Sequence, residues 1–399
     1  MRRFVCCVLI LALLPVWSVA DDAGIVDEWV PAETVPAAAG ALDVPAPSVI
    51  LTERSTGAVL YEKDADRRLA PASVTKVMTL LLTMEAIERG QLTVTQKITV
   101  SRAAMSMGGS TAYLHEGEQY TIDEMLKAVT IASANDGSVV LAEAVSGTEG
   151  TFVAKMNERA AELGMTNTHF VNCHGLDDPD HYTTARDIAA MSRALLDHKL
   201  IKNYTTIWLD SLRDGAFTLA NTNRLVRYYD GCTGLKTGTT SKAGSCISAS
   251  AEREGMELIA VVLGAGSTDD RYESARKMLD YGFASFSLMT AWPDEALLPV
   301  PVRLGRQNEV QPVPEGDKTV IYEKHKKALI TKTVMLDAEV KAPVALGQKL
   351  GEVVVECEGA ELIRVPLVAS KGVERLTWWD IFRRLLGVLT MSGTANNEQ

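Results

Sequence analysis

Residues 70–90, APASVTKVMTLLLTMEAIERG, predict a helix around which the first domain of the chain is arranged. Pro71 suits the first turn of a helix, and Gly90 suits the position just past its end. The residues between them are apolar around nearly the whole circumference, which is typical of a helix buried in the middle of a domain. Because residues i and i+3 lie side by side on a helix, we expect the Lys76 amine to reach the Ser73 hydroxyl.

Strand-like and helical segments flank this helix on both sides. Residues 48–51 and 58–61 form a strand, a turn and a returning strand before it, and 246–251 and 258–263 form two more strands after it. Further helices are expected at 122–132, 136–145, 151–163, 184–197 and 269–284. This order predicts an α/β or α+β domain over residues 48–290.

The pattern changes in the last quarter of the chain. Short strand candidates alternate with turns from Pro299 to Ser370, and no helical period runs through them. The strand candidates are 319–322, 329–336, 352–357 and 362–368. We expect a small all-β domain over residues 291–370.

The N-terminus has the pattern of a signal peptide, residues 1–20. Arg2 and Arg3 precede an apolar run at 4–16, and small residues at 18–20 suit a signal peptidase. A transmembrane anchor is the alternative, but the run is short and acidic residues follow it at once. Residues 21–47 are rich in proline and alanine and are predicted to be a linker. The mature protein is therefore expected to be exported.

Composition excludes several classes of protein. The chain has 399 residues, of which 47% are hydrophobic and 23% charged, with a net charge of −11. That apolar content excludes disorder over the whole length, and the acidic balance argues against a nucleic-acid partner. No run of 18 apolar residues follows the N-terminus, which argues against a polytopic membrane protein. Four cysteines lie beyond the signal peptide without metal-ligand spacing, which favours free thiols, although three disulfide pairings are possible.

The S-x-x-K pattern of Ser73 and Lys76 suits nucleophilic catalysis, because a lysine of lowered pKa can take the serine proton. The pattern alone is weak, since one or two copies are expected by chance in about 400 residues. A second copy does occur at Ser274 and Lys277. It lies on a charged helix and is interpreted as part of a solvated face.

Two further motifs follow Ser73 in a fixed order. Ser133 and Asn135 form an S-x-N between two helix candidates, and residues 236–238 form a K-T-G at the edge of a β segment. Ser133 can relay a proton, Asn135 can hold a substrate amide, and Lys236 supplies a second cation. Gly238 leaves room for a substrate strand against the backbone. The three motifs together match the set found in penicillin-recognising serine enzymes.

Other segments extend that match, namely 70–79, 109–110, 116–118, 174–177, 182–187, 234–240 and 243–244. From about Ser48 to the C-terminus the chain resembles the low-molecular-weight penicillin-binding proteins that are serine-type D-alanyl-D-alanine carboxypeptidases. The resemblance implies a β-lactamase-like catalytic domain, a helical cluster on an antiparallel sheet, followed by a small all-β domain.

The resemblance also implies roles for individual residues. Ser73 is the nucleophile, Lys76 its base and Ser133 a proton relay. The backbone N–H groups of Ser73 and Thr239 form the oxyanion hole. The substrate, with its terminal carboxylate, is bound by Asn135, Lys236, Thr237, Gly238, Thr239 and Arg271. The implied reaction removes the terminal D-alanine from peptidoglycan stem peptides without metal or cofactor, and β-lactams acylate Ser73.

A Ser-His-Asp triad through His174 is the competing arrangement. Ser73 already has a lysine at i+3, and no G-x-S-x-G turn surrounds it. His174 is therefore interpreted as a structural hydrogen-bonding residue.

The C-terminal segment 373–390 is predicted to be an amphipathic helix at a membrane surface. Its apolar stripe contains Leu376, Trp379, Phe382, Leu386 and Leu389, with polar residues opposite. Known tail anchors of the family favour the outer face of the cytoplasmic membrane. The alternative is a helix docked on the β domain.

Two other functions share part of this pattern. A secreted β-lactamase has the same motifs but needs a carboxylate that activates the deacylating water, and no E-x-x-L-N-like segment follows Ser133. A wall-binding scaffold without activity has no need for the intact polar motif positions. The sequence therefore favours the carboxypeptidase.

Overall fold

The structure, a computed structural model, describes residues 42–293, 295–316 and 318–391. The predicted signal peptide and the linker up to residue 41 lie outside these ranges. The described α-helices are, in chain order, α1 Lys76–Glu88, α2 Arg102–Met105, α3 Ile122–Ile131, α4 Asn135–Ser146, α5 Glu149–Glu162, α6 Ala185–Asp197, α7 Lys202–Thr205, α8 Leu225–Tyr228, α9 Thr268–Ser285 and α10 Trp378–Met391. Short 3-10 helices span Ala72–Thr75, Lys199–Ile201 and Lys324–Leu329.

The described strands are, in chain order, β1 Ser48–Glu53, β2 Val59–Lys63, β3 Lys97–Thr99, β4 Gln119–Thr121, β5 Leu209–Leu212, β6 Phe217–Ala220, β7 Cys232–Thr240, β8 Gly244–Arg253, β9 Met256–Ala265, β10 Phe286–Thr290, β11 Val300–Arg303, β12 Glu309–Val310, β13 Pro312–Pro314, β14 Thr319–Glu323, β15 Ile330–Leu336, β16 Val340–Lys341, β17 Lys349–Cys357 and β18 Ala360–Ala369. The short pairs β3–β4 and β5–β6 were not predicted, because each is only three or four residues long.

The first domain is built on an antiparallel sheet of five strands in the order β2-β1-β9-β8-β7. Strand β9 is apolar from Leu258 to Leu263 because both of its faces are covered. Alternate residues join the core formed with α1 and α3 to α6, and the others join the core formed with α9. The expected helical cluster on an antiparallel sheet is confirmed.

The end of the predicted linker is part of this fold. Val44 and Ala46 are buried beside Leu42 in the core on the α9 side of the sheet. The Tyr61 hydroxyl donates to the carbonyl of Leu42 at 2.9 Å, and Lys63 Nζ donates to the carbonyl of Val44 at 3.0 Å. The apolar residues alternate along this segment, so one side of it packs against the domain.

Helix α9 carries the second S-x-x-K copy, and the structure corrects its interpretation as a solvated face. Ser274 is fully buried, because it lies on the side of α9 that packs on the sheet with Ala275 and Met278. Lys277 pairs with Glu273 at 2.8 Å on the exposed side. The two motif residues of this copy therefore lie in different environments.

The second domain consists of short sheets, apart from the 3-10 helix Lys324–Leu329. Strands β13, β18, β17 and β15 form one sheet, and β12, β11 and β16 form another. All four predicted strands are present. Strand β10 falls inside the predicted catalytic domain but pairs with β14 of the β domain, from Phe286↔Glu323 to Thr290↔Thr319. The chain therefore passes from one domain to the other through a shared ladder.

Helix α10 begins at Trp378, later than the predicted start at 373. Thr377 and Asp380 cap it: the Thr377 N–H donates to the Asp380 carboxylate at 2.8 Å, and the Asp380 N–H donates to the Thr377 hydroxyl at 3.3 Å. Before the cap, Val373 pairs with Val344 through backbone hydrogen bonds and is buried. Leu376 is therefore not part of the helical stripe. Among the described residues no helix has the length and hydropathy to cross a bilayer.

Candidate active site

Ser73 and Lys76 are brought together at the start of the central helix. Ser73 lies in the 3-10 turn Ala72–Thr75, and Lys76 is the first residue of α1. Lys76 Nζ donates to Ser73 Oγ at 2.9 Å. The serine is half-buried, whereas the lysine is fully buried. The pair therefore places a serine hydroxyl in direct contact with a desolvated amine.

Two carbonyl oxygens hold the Lys76 amine in place. Lys76 Nζ donates to Asn135 Oδ1 at 2.6 Å and to the backbone carbonyl of His174 at 2.7 Å. Both oxygens can only accept hydrogen bonds. Together with Ser73 Oγ they complete the coordination of Nζ.

Burial lowers the pKa of Lys76 from its ordinary value to about 7, against a weaker opposing effect of the nearby Cys173 and Asp136. Burial also lowers the pKa of Lys236 well below its ordinary value, and the cations of Lys76 and Arg271 lower it further. A lysine with a pKa near 7 is available as a base at neutral pH.

The S-x-N segment joins α3 to α4 and faces the lysine. Ser133 is buried and has a φ of 62°, a left-handed conformation that is uncommon outside glycine. Asn135 Nδ2 donates to the carbonyl of Gly108 at 2.7 Å, which fixes the amide so that its oxygen faces Lys76. The loop before α3 is thereby tied to the active site.

Asp136, next to the motif, is a positioning residue that the sequence did not single out. Its buried carboxylate accepts hydrogen bonds from the backbone N–H groups of Ala112 at 3.0 Å, Leu114 at 3.1 Å and Gly137 at 2.9 Å. The two bonds from Ala112 and Leu114 fix the loop that also carries Gly108, the hydrogen-bond partner of Asn135. An aspartate directly after S-x-N at a helix start was the available signal.

The K-T-G residues lie on β7 at the edge of the sheet. Lys236 and Thr237 are buried, and Thr239 is exposed. Lys236 Nζ donates to the carbonyl of Thr237 at 3.0 Å, and the Thr237 hydroxyl donates to the Thr222 hydroxyl at 2.8 Å. Thr222 belongs to no motif, and no sequence signal pointed to it.

Gly238 lies directly against the backbone of Ser73. A Cβ atom at Gly238 would lie 2.6 Å from the backbone nitrogen of Ser73 and 2.9 Å from Ala72 Cβ. The prediction assigned this glycine to a close approach of substrate. The structure adds a different requirement, because the 3-10 turn itself packs against β7 at this point.

Arg271 extends from α9 to the same end of β7. Its Nη1 donates to Thr239 Oγ1 at 3.1 Å and to the carbonyl of Gly238 at 3.4 Å. The side chain is buried over the Tyr272 ring, and its Nε has no hydrogen-bond partner among the described residues. A buried cation with an unused donor suits a carboxylate at this strand end.

The side chain of His174 does not contact Ser73 or Lys76 through a hydrogen bond in the described structure. Its Nδ1 accepts from the Leu176 N–H at 3.2 Å, and its Nε2 lies 3.5 Å from Glu149. Burial and the neighbouring Lys76 lower its pKa to about 3, so the ring is neutral. It contributes through its backbone carbonyl instead.

Within the described ranges, no group of three or more His, Cys, Asp or Glu residues could hold a metal ion. The thiols of Cys173, Cys232, Cys246 and Cys357 are unpaired. The polar groups around Ser73 are amines, amides, hydroxyls and backbone groups, and this set suits acyl transfer.

Two family models match the chain. The model of D-alanyl-D-alanine carboxypeptidase matches residues 33–267, and that of the C-terminal domain of penicillin-binding protein 5 matches residues 293–375. The D-alanyl-D-alanine carboxypeptidase DacF of Bacillus subtilis (strain 168) is 39% identical over 347 residues, covering 86% of this chain and 89% of the relative.

Solved structures agree with these matches. Penicillin-binding protein 5 from Haemophilus influenzae superposes with a TM-score of 0.74 at 29% identity, covering 84% of this chain and 98% of that protein. Penicillin-binding protein D2 from Listeria monocytogenes, in its ampicillin-bound form, has a TM-score of 0.55 at 30% identity and covers 60% of this chain and 98% of that one. The chain therefore belongs to the D-alanyl-D-alanine carboxypeptidase family and is a penicillin-binding, serine-type D-Ala-D-Ala carboxypeptidase of the cell wall.

Proposed function

We propose that Ser73 is the acylated nucleophile of this carboxypeptidase and that Lys76 is the base that activates it. The observation that carries the proposal is the contact of 2.9 Å between Lys76 Nζ and Ser73 Oγ in a buried setting. A serine hydroxyl is a weak nucleophile until a base takes its proton.

The partners of Lys76 determine where its lone pair points. The ammonium form of Lys76 donates to all three oxygens around it, whereas the neutral amine has only two N–H bonds and one lone pair. Asn135 Oδ1 and the His174 carbonyl are pure acceptors at 2.6 and 2.7 Å, so they take the two N–H bonds. The lone pair then faces Ser73 Oγ, which is the arrangement that proton abstraction requires.

The cations around β7 bind the C-terminal carboxylate of the substrate. Lys236 and Arg271 supply the charges. The Thr239 hydroxyl accepts from Arg271 and so keeps its own proton for the carboxylate, and the Thr237 hydroxyl, which donates to Thr222 in this structure, lies at the same strand end. A bound carboxylate stabilises the proton on Lys236, so the lysine that remains neutral is Lys76. Burial lowers the pKa of both lysines, and the neighbouring cations lower that of Lys236 further, so this division depends on the carboxylate of the bound substrate.

The reaction proceeds by acyl transfer. The Ser73 proton moves to Lys76 while Oγ attacks the carbonyl carbon between the two D-alanines of a stem peptide. The backbone N–H groups of Ser73 and Thr239 stabilise the oxyanion, by about 3 kcal/mol for each donor. Ser133 passes the proton to the leaving amine, the C–N bond breaks and D-alanine departs. Water then hydrolyses the ester and restores Ser73.

The acylation rate is expected to rise with pH through about 7. The ammonium form of Lys76, with its pKa lowered to about 7, cannot accept a proton. Below that pH the rate falls about tenfold per unit, because only the neutral fraction reacts. The measurement is the second-order rate of labelling by a fluorescent penicillin between about pH 5 and 9. A rate that stays flat over this range, or falls as the pH rises, contradicts the role of Lys76.

The carboxypeptidase itself is tested with a peptide ending in D-Ala-D-Ala. We expect stoichiometric release of D-alanine, inhibition by penicillin, and negligible turnover of the β-lactam. Rapid hydrolysis of penicillin without release of D-alanine would instead indicate a β-lactamase.

We further place the mature enzyme at the outer face of the cytoplasmic membrane, held by α10. The predicted signal peptide supports export. The exposure of large apolar side chains on α10 supports membrane binding, with Trp378 exposed to 72%, Trp379 to 66% and Leu385 to 59%. Helices docked on their own domain bury such side chains.

The hydrogen bonds of Arg306 at the start of α10 also support a helix that is held ready for the membrane surface. Arg306 of the β domain donates to Asp380 at 3.0 Å and to Glu374 at 2.6 Å. These bonds fix the start of the helix. Each apolar side chain inserted in lipid contributes about 1.5–3 kcal/mol, and a basic residue near an anionic surface about 1 kcal/mol.

Removal of residues 378–399 is expected to release active enzyme from membranes. This deletion retains the backbone hydrogen bonds of Val373 with Val344 and of Leu376 with Leu304, so the β domain keeps its last contacts. Flotation with vesicles containing phosphatidylglycerol should be lost, while D-alanine release from small peptides stays unchanged.

A full-length double variant, Trp378→Gln with Phe382→Gln, is the matched control for that deletion. It retains the helix length and charges but removes a stacked aromatic pair with centroids 5.7 Å apart. Its flotation should fall sharply as well. Equal flotation of the intact, truncated and doubly substituted proteins would contradict the anchor.

A further inference from the structure

The residue before Ser73 has a strained backbone. Ala72 has a φ of 49°, in the left-handed region that a residue with a Cβ atom rarely adopts. Such a conformation persists only where surrounding contacts hold it. Since Ala72 begins the 3-10 turn that contains Ser73, its conformation determines where the nucleophile points.

One hydrogen bond and the absence of a side chain at Gly175 fix the position of the Ala72 carbonyl oxygen. The Thr75 hydroxyl donates to it at 2.8 Å. Gly175 provides the space, because a Cβ atom at Gly175 would lie 1.9 Å from this oxygen and 2.8 Å from Thr75 Oγ1. The carbonyl therefore lies in a notch that only a glycine leaves open.

A histidine orients the Thr75 hydroxyl. The backbone N–H of Val171 donates to His181 Nδ1 at 3.1 Å, so this nitrogen is an unprotonated acceptor. The neutral ring then carries its proton on Nε2, which lies 2.8 Å from Thr75 Oγ1 and donates to it. Thr75 uses its own proton for Ala72. Both side chains are buried, with Thr75 exposed to 0% and His181 to 3%.

We propose that His181 and Thr75 are positioning residues, which hold the carbonyl of Ala72 and so fix the strained turn that presents Ser73 to the substrate. Their hydrogen bonds run in one direction, from His181 to Thr75 to Ala72. We call this series the turn brace. Neither residue contacts the reacting atoms, so the brace acts through the backbone of Ala72 and Ser73.

The surroundings of His181 keep the brace in its working protonation state. Burial is the largest effect and lowers the pKa of the ring to about 4; nearby Asp178 and Asp177 oppose it, and His169 adds to it. The Phe170 ring makes an edge-to-face contact with the imidazole, with ring centroids 5.7 Å apart. Protonation of Nδ1 would displace the Val171 N–H, so the brace is intact at neutral pH.

The proposal rests on Ser73 as the nucleophile, and it is tested by removing the Thr75 hydroxyl. Thr75→Val should lower the rate of acylation by benzylpenicillin, and the kcat for D-alanine release, by about tenfold or more, because small displacements of reacting groups are costly. KM should change less than about threefold, since the carboxylate site on β7 is untouched. Thr75→Ser, which retains the hydroxyl, should restore most of the rate.

Thr83→Val is the matched control, in the helix α1 that directly follows Thr75. Thr83 is also fully buried and donates from its hydroxyl to a backbone carbonyl, that of Thr79, at 2.8 Å. Its loss should lower the melting temperature about as much as Thr75→Val does, with acylation at the wild-type rate. Equal acylation rates in Thr75→Val and Thr83→Val would overturn the proposal.

Substitution of His181 gives an independent test. His181→Gln retains an N–H donor near the Nε2 position and should acylate within about threefold of wild type, whereas His181→Leu should resemble Thr75→Val. The rise of the rate near pH 7 should not move in any of these variants, because Lys76 keeps its partners. If His181→Leu lowers the melting temperature but acylates at the wild-type rate, the turn brace is contradicted. If the Ser73→Ala variant still acylates and still releases D-alanine, the proposed nucleophile is refuted instead.

Discussion

Ser73→Ala is expected to abolish acylation by β-lactams and release of D-alanine. The Ser73 hydroxyl has a buried amine at 2.9 Å and therefore a base to activate it. Loss of the nucleophile of a serine peptidase lowers kcat by about a millionfold. Intact-protein mass spectrometry after penicillin treatment should show no adduct, and a persistent stoichiometric adduct would refute the assignment.

Ser274→Ala is the matched control, because it removes the serine of the other S-x-x-K copy. Ser274 is fully buried, and the amine of Lys277 pairs with Glu273. No base is available there and no substrate can enter. This variant should label at the wild-type rate.

Lys76→Arg is expected to lower the acylation rate by about a hundredfold to ten-thousandfold, the usual contribution of a general base. Arginine retains the charge but stays protonated, so it cannot take the Ser73 proton. The wild-type lysine can, because burial lowers its pKa to about 7. Stopped-flow labelling with a fluorescent penicillin measures the loss, and the melting temperature checks folding.

Lys236→Arg provides the contrast. Lys236 is also buried, but its proposed task is to present a cation to a carboxylate, which arginine can also do. We expect part of the activity to survive, with the loss mainly in KM. Near-normal acylation by Lys76→Arg would show that the two lysines were assigned the wrong roles.

The sequence predicted those parts of the site that depend on local spacing. Ser73 and Lys76 are three residues apart, so helix geometry alone places them together. The order of the three motifs then indicated the family, and with it the sheet and the helical cluster. Strands β8 and β9 and helix α9 were predicted because the apolar pattern of each extends over many residues.

Features that depend on tertiary contacts could not be predicted in this way. The contact of Gly238 with the Ser73 backbone joins segments far apart in the chain. The same holds for the burial of Ser274, which depends on the side of α9 that packs on the sheet. The start of α10 at Trp378 depends on the pairing of Val373 with Val344, which competes with a longer helix.

The central claim, that one acyl-enzyme forms on Ser73, is tested most directly by peptide mapping of the penicillin-treated wild-type enzyme. Trypsin cleaves after Arg68 and Lys76, and the fragment 69–76, LAPASVTK, contains Ser73 as its single serine. We predict one penicilloyl group on this fragment, assigned to Ser73 by tandem mass spectrometry, with loss of D-alanine release in proportion to its occupancy. An adduct on another fragment, or full release of D-alanine by enzyme acylated at Ser73, would contradict the account.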